Sequence, residues 1–180
     1  PLRRGPAGKV PAPREVLDIF IQGTNVTASV DERHATCVLR DLGAALTTLL
    51  GGPRGKAIVR FYDESWELAV ERFGKTALLS VYRAGSEPKV LVHERPVDFA
   101  EVRASVLDAL ATASLPRASS AGSGHSRTRE LETVRRLLAE ASDLGAGCDL
   151  PTPRATNVAV EIDKDAPISI AAEFFLREGA

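Results

Sequence analysis

The sequence predicts an α+β fold with a mainly antiparallel sheet, and three observations support this prediction. Apolar and polar residues alternate in several segments of strand length, which is the pattern of half-buried strands. Short turns of glycine and polar residues separate many of these segments, as antiparallel neighbours require. Other stretches have the three- and four-residue apolar spacing of amphipathic helices. The expected order is hairpin, helix, strand meander and helix, followed by a linker and then a helix plus a hairpin.

The first ordered element is expected to be a hairpin. Two apolar sets would face each other across it, namely Leu17, Ile19 and Ile21 before the turn and Val26, Ala28 and Val30 after it. A two-residue Gly23-Thr24 loop, with glycine first as a type II′ turn prefers, would place Ile21 opposite Val26. Phe20 would then lie on the other, polar face, where it is a candidate interaction residue.

A helix over 33–50 and a meander of four strands are expected next. The strands are predicted over 56–62, 66–73, 76–83 and 89–94. A Gly74-Lys75 loop between the second and third of these strands would pair their apolar residues on one face, with Val70 opposite Leu79 and Leu68 opposite Val81.

The helix that closes the meander has a clear start signal. Asp98 can cap it, Glu101 follows three residues later as in a capping box, and Pro96 is expected to end the preceding strand. Its apolar residues describe one stripe, formed by Phe99, Val102, Val106 and Leu110.

Four segments are expected along the chain. They are a flexible basic arm over 1–14, an α+β domain over 15–112, a flexible linker over 113–127, and a helix with a β-hairpin over 128–180. The last segment is too small to close a core by itself, since an isolated hairpin is marginal in water. We therefore expect it to dock on the first domain or on a partner.

The C-terminal segment also supplies candidate interaction residues. Its helix has apolar residues at Leu131, Val134, Leu138, Ala141 and Leu144. Two alternating strands follow around a turn over 163–167, and the second of them spans 168–176. Phe174 and Phe175 point to opposite faces of that strand, so both faces need cover and an edge is left for pairing with another chain.

The amino-acid composition argues against several classes of protein. With 23 basic and 24 acidic residues, the 180-residue chain lacks the basic excess of a dedicated nucleic-acid-binding protein. Two cysteines are too few for a disulfide framework, and no apolar run approaches the ~20 residues of a membrane helix. We therefore expect a soluble cytoplasmic protein. Its richness in Arg and Ala, residues with GC-rich codons, suggests a bacterial source. Arg3 and Arg4 of the arm would make at most weak phosphate contacts with nucleic acid.

No motif predicts a metal site. His34, Cys37, His93 and Cys148 can be drawn as four zinc ligands, but their spacing matches no standard zinc pattern, and ordinary packing explains them better. The glycine-rich segment 51–56 follows a helix and precedes a strand, which is the reverse of a phosphate-binding loop.

No motif predicts a catalytic group either. Ser123 lies beside His125 in the expected linker, where nothing would hold its geometry. Four carboxylates cluster around one turn and strand, and solvation is their simplest interpretation; they are Asp63, Glu64, Glu67 and Glu71. We expect no catalytic, metal or cofactor-binding residues and no cofactor.

The order of elements resembles that of the longin, roadblock and profilin-like adaptor domains, although this chain has one strand more. The resemblance implies exposed surfaces that bind partners or dimerise. We therefore favour a non-catalytic protein–protein interaction or scaffold module in a larger assembly, binding a protein partner or itself. The alternative is a small-ligand-binding protein or enzyme, with a site lined by Phe20, Asp18 and Asn25, or by His93, Glu94 and Arg95.

Overall fold

The computed structural model describes residues 14–27, 30, 32, 34–86, 88–115, 124–148 and 158–166. Its elements in chain order are β1 (Arg14–Ile21), β2 (Thr24–Asn25), α1 (Ala35–Leu49), β3 (Arg54–Arg60), β4 (Trp66–Phe73), β5 (Thr76–Arg83), β6 (Lys89–Asp98), α2 (Phe99–Ser114), α3 (Gly124–Glu140) and β7 (Val158–Ala166).

The described strands form two antiparallel sheets, and the fold is α+β as predicted. One sheet has the order β2-β1-β7 and the other the order β3-β4-β5-β6. A single hydrophobic core joins them, because buried residues of both sheets and of all three helices pack into one cluster. The helices thus share a core with two sheets, whereas the sequence predicted a single sheet.

The first hairpin has a different turn from the one predicted. Its loop is Gln22-Gly23, and both residues have positive φ angles, 53° and 74°. This is the type I′ pattern, which suits the natural twist of paired strands. Ile21 consequently lies opposite Thr24 instead of Val26. The register differs from the predicted one by two residues, an even number, so the same side chains still point to the buried face. Val26 is therefore buried as expected, and its N–H donates to the carbonyl of Ile19.

The meander follows the prediction closely in its centre. Strands β4 and β5 have the predicted bounds, with Val70 opposite Leu79 and Leu68 opposite Val81. Strand β6, however, does not end at Pro96 but continues to Asp98. A proline is tolerated there because β6 is an edge strand of this sheet and needs no outward N–H.

Helix α2 begins as predicted. The Asp98 side chain accepts hydrogen bonds from the backbone N–H groups of Ala100 and Glu101. The predicted stripe is fully buried, and its members are Phe99, Val102, Val106 and Leu110. The helix continues to Ser114 and α3 begins at Gly124, so both ends of the range expected to be a linker are helical.

The C-terminal segment packs against the first half of the chain. Strand β7 pairs with β1, placing Val160 opposite Ile19. It runs through residues 163–166, where the sequence pattern predicts a turn. Leu144, predicted to lie on the buried stripe of the third helix, is 70% exposed because α3 ends at Glu140 and the chain turns away.

Several predictions concern residues outside the described ranges. These are the basic arm with Arg3 and Arg4, and the second C-terminal strand with Phe174 and Phe175. Among the residues that the structure describes, the helices lack the combination of length and apolarity needed to cross a membrane.

Candidate interaction surface

The candidate residues from the sequence are spread over the fold. Phe20 lies in β1, half-buried, at the register position opposite Asn25. The Asn25 amide donates to the Asp18 carboxylate at 2.7 Å, so this part of the alternative site is already paired within the hairpin. His93 and Glu94 lie in β6, on the sheet surface described below.

The four potential zinc ligands are spread over three parts of the fold. His34 and Cys37 are at the start of α1, His93 is in β6, and Cys148 follows α3. In the described part of the chain, no three His, Cys, Asp or Glu side chains are grouped in a way that would hold a metal ion.

The sheet β3–β6 has one buried face and one face that we call the open face. The buried face packs on the helices through residues such as Leu68, Val70, Leu79 and Val81. The alternate residues of the same strands form the open face: Arg54, Lys56, Ile58, Arg60, Glu67, Ala69, Glu71, Leu78, Ser80, Tyr82 and Val90. Val92 follows a shift in the β5–β6 register and also lines the groove on this face. Two of its apolar side chains are well exposed, Ile58 at 49% and Val90 at 62%.

A groove of about 320 Å³ crosses the open face. Its floor is the cross-strand pair Ala69 and Ser80, two small residues in the middle of the sheet. Larger side chains rise on both sides of this pair, with Glu71 opposite Leu78 and Glu67 opposite Tyr82. The groove therefore results from a small pair flanked by large pairs on one face of a twisted sheet.

Strand β6 forms the irregular wall of the groove. Its pairing with β5 is interrupted twice, and one interruption places His93 and Glu94 against Ser80. Glu94 has a positive φ of 45°, and its N–H donates to the Ser80 hydroxyl at 2.8 Å. Such bulges twist a strand and redirect its side chains, which here brings both residues to the groove.

Charged pairs border the apolar part of the open face. Lys56 Nζ lies 3.4 Å from a Glu71 oxygen, and Arg60 Nε lies 3.1 Å from a Glu67 oxygen. A hydrogen bond from the Tyr82 hydroxyl to the Glu67 carboxylate raises the pKa of Tyr82 above its ordinary value, and burial adds to the rise. The surface thus has an apolar centre with a paired, polar border.

A second groove, of about 310 Å³, lies between α1 and α3. Its central group is Arg40, which donates to Asp41 at 2.9 Å, to Glu130 at 3.3 Å and to the Tyr62 hydroxyl at 3.1 Å. The Tyr62 hydroxyl in turn donates to Asp41 at 2.6 Å. Two carboxylates neutralise the guanidinium, so this cluster holds the helices and the β3–β4 loop together instead of offering a charge to a ligand.

Sequence reasoning missed the groove on the open face, although a signal was present. The predicted register already places Ala69 opposite Ser80. A small pair between larger residues on a solvated face indicates a groove. The Arg40–Asp41–Tyr62 cluster had no such signal, because its members come from a helix and a loop whose contact depends on the tertiary structure.

Comparison with known proteins gave no match: no family model, curated protein or solved structure matches the chain.

Proposed function

We propose that this protein is a non-catalytic interaction module that binds a protein partner on the open face of the sheet β3–β6. The observation that carries the proposal is the position of Ile58 and Val90, two exposed apolar side chains on the two outer strands of that face. The groove between them has a floor of small residues, so a partner's side chain can enter it.

The composition of the open face supports a protein as the occupant. Interfaces between proteins combine an apolar centre, often with tyrosine, and a polar border. Here Leu78, Tyr82 and Val92 supply the centre, and the Lys56–Glu71 pair stands at its border. Charges of both signs are present, which favours a specific protein surface over a uniformly charged polymer.

A small molecule is the second candidate occupant of the same groove. The volume of about 320 Å³ is near the lower end of ligand sites, and Ser80, His93 and Glu94 supply polar groups at its wall. Chemical-shift perturbation with a fragment library tests this candidate. Binding of a compact ligand, with shifts confined to these residues, would favour it over a protein partner.

Site-specific photo-crosslinking in the native cell tests the protein-binding proposal. A photoreactive amino acid at Val90 should capture a partner, whereas the same group at Glu101, exposed on α2, should not. Sedimentation of the purified chain decides whether the captured partner is a second copy.

The affinity for the purified partner then gives a matched comparison. Ile58→Lys places a charge on the open face, and Leu137→Lys places the same charge on α3 at nearly equal exposure, 49% and 50%. The first variant should weaken binding about tenfold or more, while the second leaves it unchanged. Equal crosslinking at the two positions, or equal affinities of the two variants, would refute the proposal.

A further inference from the structure

The outer edge of β3 is regular and unpaired in the described part of the chain. Strand β3 pairs with β4 over all seven residues without a break in register. The other edge strand, β6, is interrupted twice by bulges. Bulges are a common way to block an edge, so β6 has this protection and β3 does not.

The hydrogen-bond parity of β3 determines which backbone groups face outward. Backbone hydrogen bonds of the β3–β4 ladder are made just before and just after β3. The Pro53 carbonyl accepts from the N–H of Gly74, and the N–H of Phe61 donates to the carbonyl of Trp66. In an antiparallel pair, bonded positions alternate with unbonded ones. The odd-numbered residues therefore bond to β4, and the N–H and C=O groups of Arg54, Lys56, Ile58 and Arg60 point away from the sheet.

The side chains of these same four residues lie on the open face and are exposed. Three are basic and one is apolar. Lys56 and Arg60 each pair with one carboxylate of β4, Glu71 and Glu67, but their side chains remain 56% and 81% exposed, so each can contact a second carboxylate on an incoming strand. An incoming strand would place its own side chains directly opposite them, at alternate positions. Opposite charges in such pairs are favourable and like charges are unfavourable.

We propose that the edge of β3 binds an extended acidic segment of the partner by strand addition. In the antiparallel orientation used throughout this sheet, the segment would read acidic-x-apolar-x-acidic-x-acidic, matching Arg60, Ile58, Lys56 and Arg54 in turn. Main-chain hydrogen bonds supply the affinity in this recognition mode, and alternate side chains supply the specificity.

The charges also disfavour a second copy of β3 as the occupant. Full-length antiparallel pairing of two β3 strands would place Arg54 of one copy opposite Arg60 of the other. Like charges directly opposite one another destabilise a strand pair. The edge is therefore complementary to a different, acidic strand.

The inference rests on the proposed function, since it names the chemistry of the partner. The test uses the full chain and a fluorescein-labelled peptide of sequence TETVTETET, followed by anisotropy. Two control peptides are matched to it. One has lysine in place of each glutamate, and the other is N-methylated at the valine, which keeps every side chain and removes one backbone donor.

The acidic peptide should bind, and the lysine peptide should not. N-methylation should weaken binding about tenfold, corresponding to about 1.4 kcal/mol for a lost main-chain bond. On the protein, Arg60→Glu should abolish binding, whereas Arg95→Glu, the same change on β6, should leave it within about twofold of the wild type.

Two results would overturn the inference. If the N-methylated peptide binds as well as the parent, attraction is only electrostatic and no strand is added. If neither acidic peptide binds, the edge does not recognise this class. Neither result would change the outcome of photo-crosslinking at Val90. The experiments therefore distinguish failure of the strand-addition proposal for β3 from failure of the proposal that a partner binds the open face.

Discussion

The guanidinium of Arg72 lies 4.1 Å from the centre of the Phe99 ring, in a position where the arginine side chain has no exposed surface. Its donors reach the carbonyls of Gly74 and Leu49 at 2.8 and 2.9 Å, and the carboxylate of Asp143. One side chain on β4 thus connects the end of α1, the start of α2 and the turn after α3.

Replacing Arg72 by methionine should destabilise the protein strongly. The change leaves the carbonyls of Gly74 and Leu49 without their side-chain donor and removes the cation paired with Asp143, which keeps the N–H of Gly145. Breaking such an ion pair from the buried side costs about 3 kcal/mol. Urea unfolding followed by the fluorescence of Trp66, the single tryptophan, measures it. Arg95→Met, at an exposed arginine of β6, should change the free energy of unfolding by less than about 0.5 kcal/mol. Equal effects would show that Arg72 contributes no more than a surface charge.

The stability of the protein should depend on the carboxylate of Glu32. It is 7% exposed, and its oxygens accept hydrogen bonds from the N–H groups of His34, Tyr62 and Asp63, which join the start of α1 to the loop after β3. Glu32→Gln turns one acceptor into a donor that faces N–H groups, so we expect a loss of about 2 kcal/mol in unfolding free energy. Asp108→Asn, exposed on α2, is the matched control. A similar stability of both variants in thermal unfolding would contradict the role of Glu32.

Gly43 should not tolerate a methyl group. A Cβ there would lie 2.7 Å from Val134 Cγ1 and 3.1 Å from Leu110 Cδ1, where three helices meet. Overpacking of this kind costs about 1–3 kcal/mol, so Gly43→Ala should lower the melting temperature. Gly147→Ala adds a methyl group with nothing within 4 Å and should be neutral or slightly stabilising. If Gly43→Ala is as stable as Gly147→Ala, the helices repack without cost.

The two tyrosines should titrate above their ordinary value of 10.0. Hydrogen bonds to Asp41 and Glu67 raise the pKa of Tyr62 and Tyr82, respectively. A raised tyrosine pKa stabilises the native state below about pH 10, and this contribution is lost as the pH rises through the native value. Absorbance titration at the phenolate band measures both groups.

Each partner can be removed separately in that titration. Asp41→Asn should return only the Tyr62 pKa towards 10.0, and Glu67→Gln only that of Tyr82. Each variant is the control for the other. A wild-type curve with both tyrosines at the ordinary value would contradict the hydrogen bonds.

Local patterns were sufficient to predict much of the fold. The Val70–Leu79 pair followed from a two-residue loop and strand alternation, and the Asp98 cap followed from its position before an apolar stripe. These signals arise within about ten residues of chain, where steric and hydrogen-bond preferences act directly. On the open face, they also place Ala69 opposite Ser80, the floor of the groove.

The tertiary structure alone decided the features that join distant segments. The pairing of β1 with β7 and the burial of Arg72 against Phe99 and Asp143 both depend on residues far apart in the chain. Alternation indicates that a strand has a buried face, but it does not say which strand will be its neighbour. Arginine is seldom fully buried unless it is paired, and the partners of Arg72 are set by how α1, α2 and the turn after α3 pack around β4.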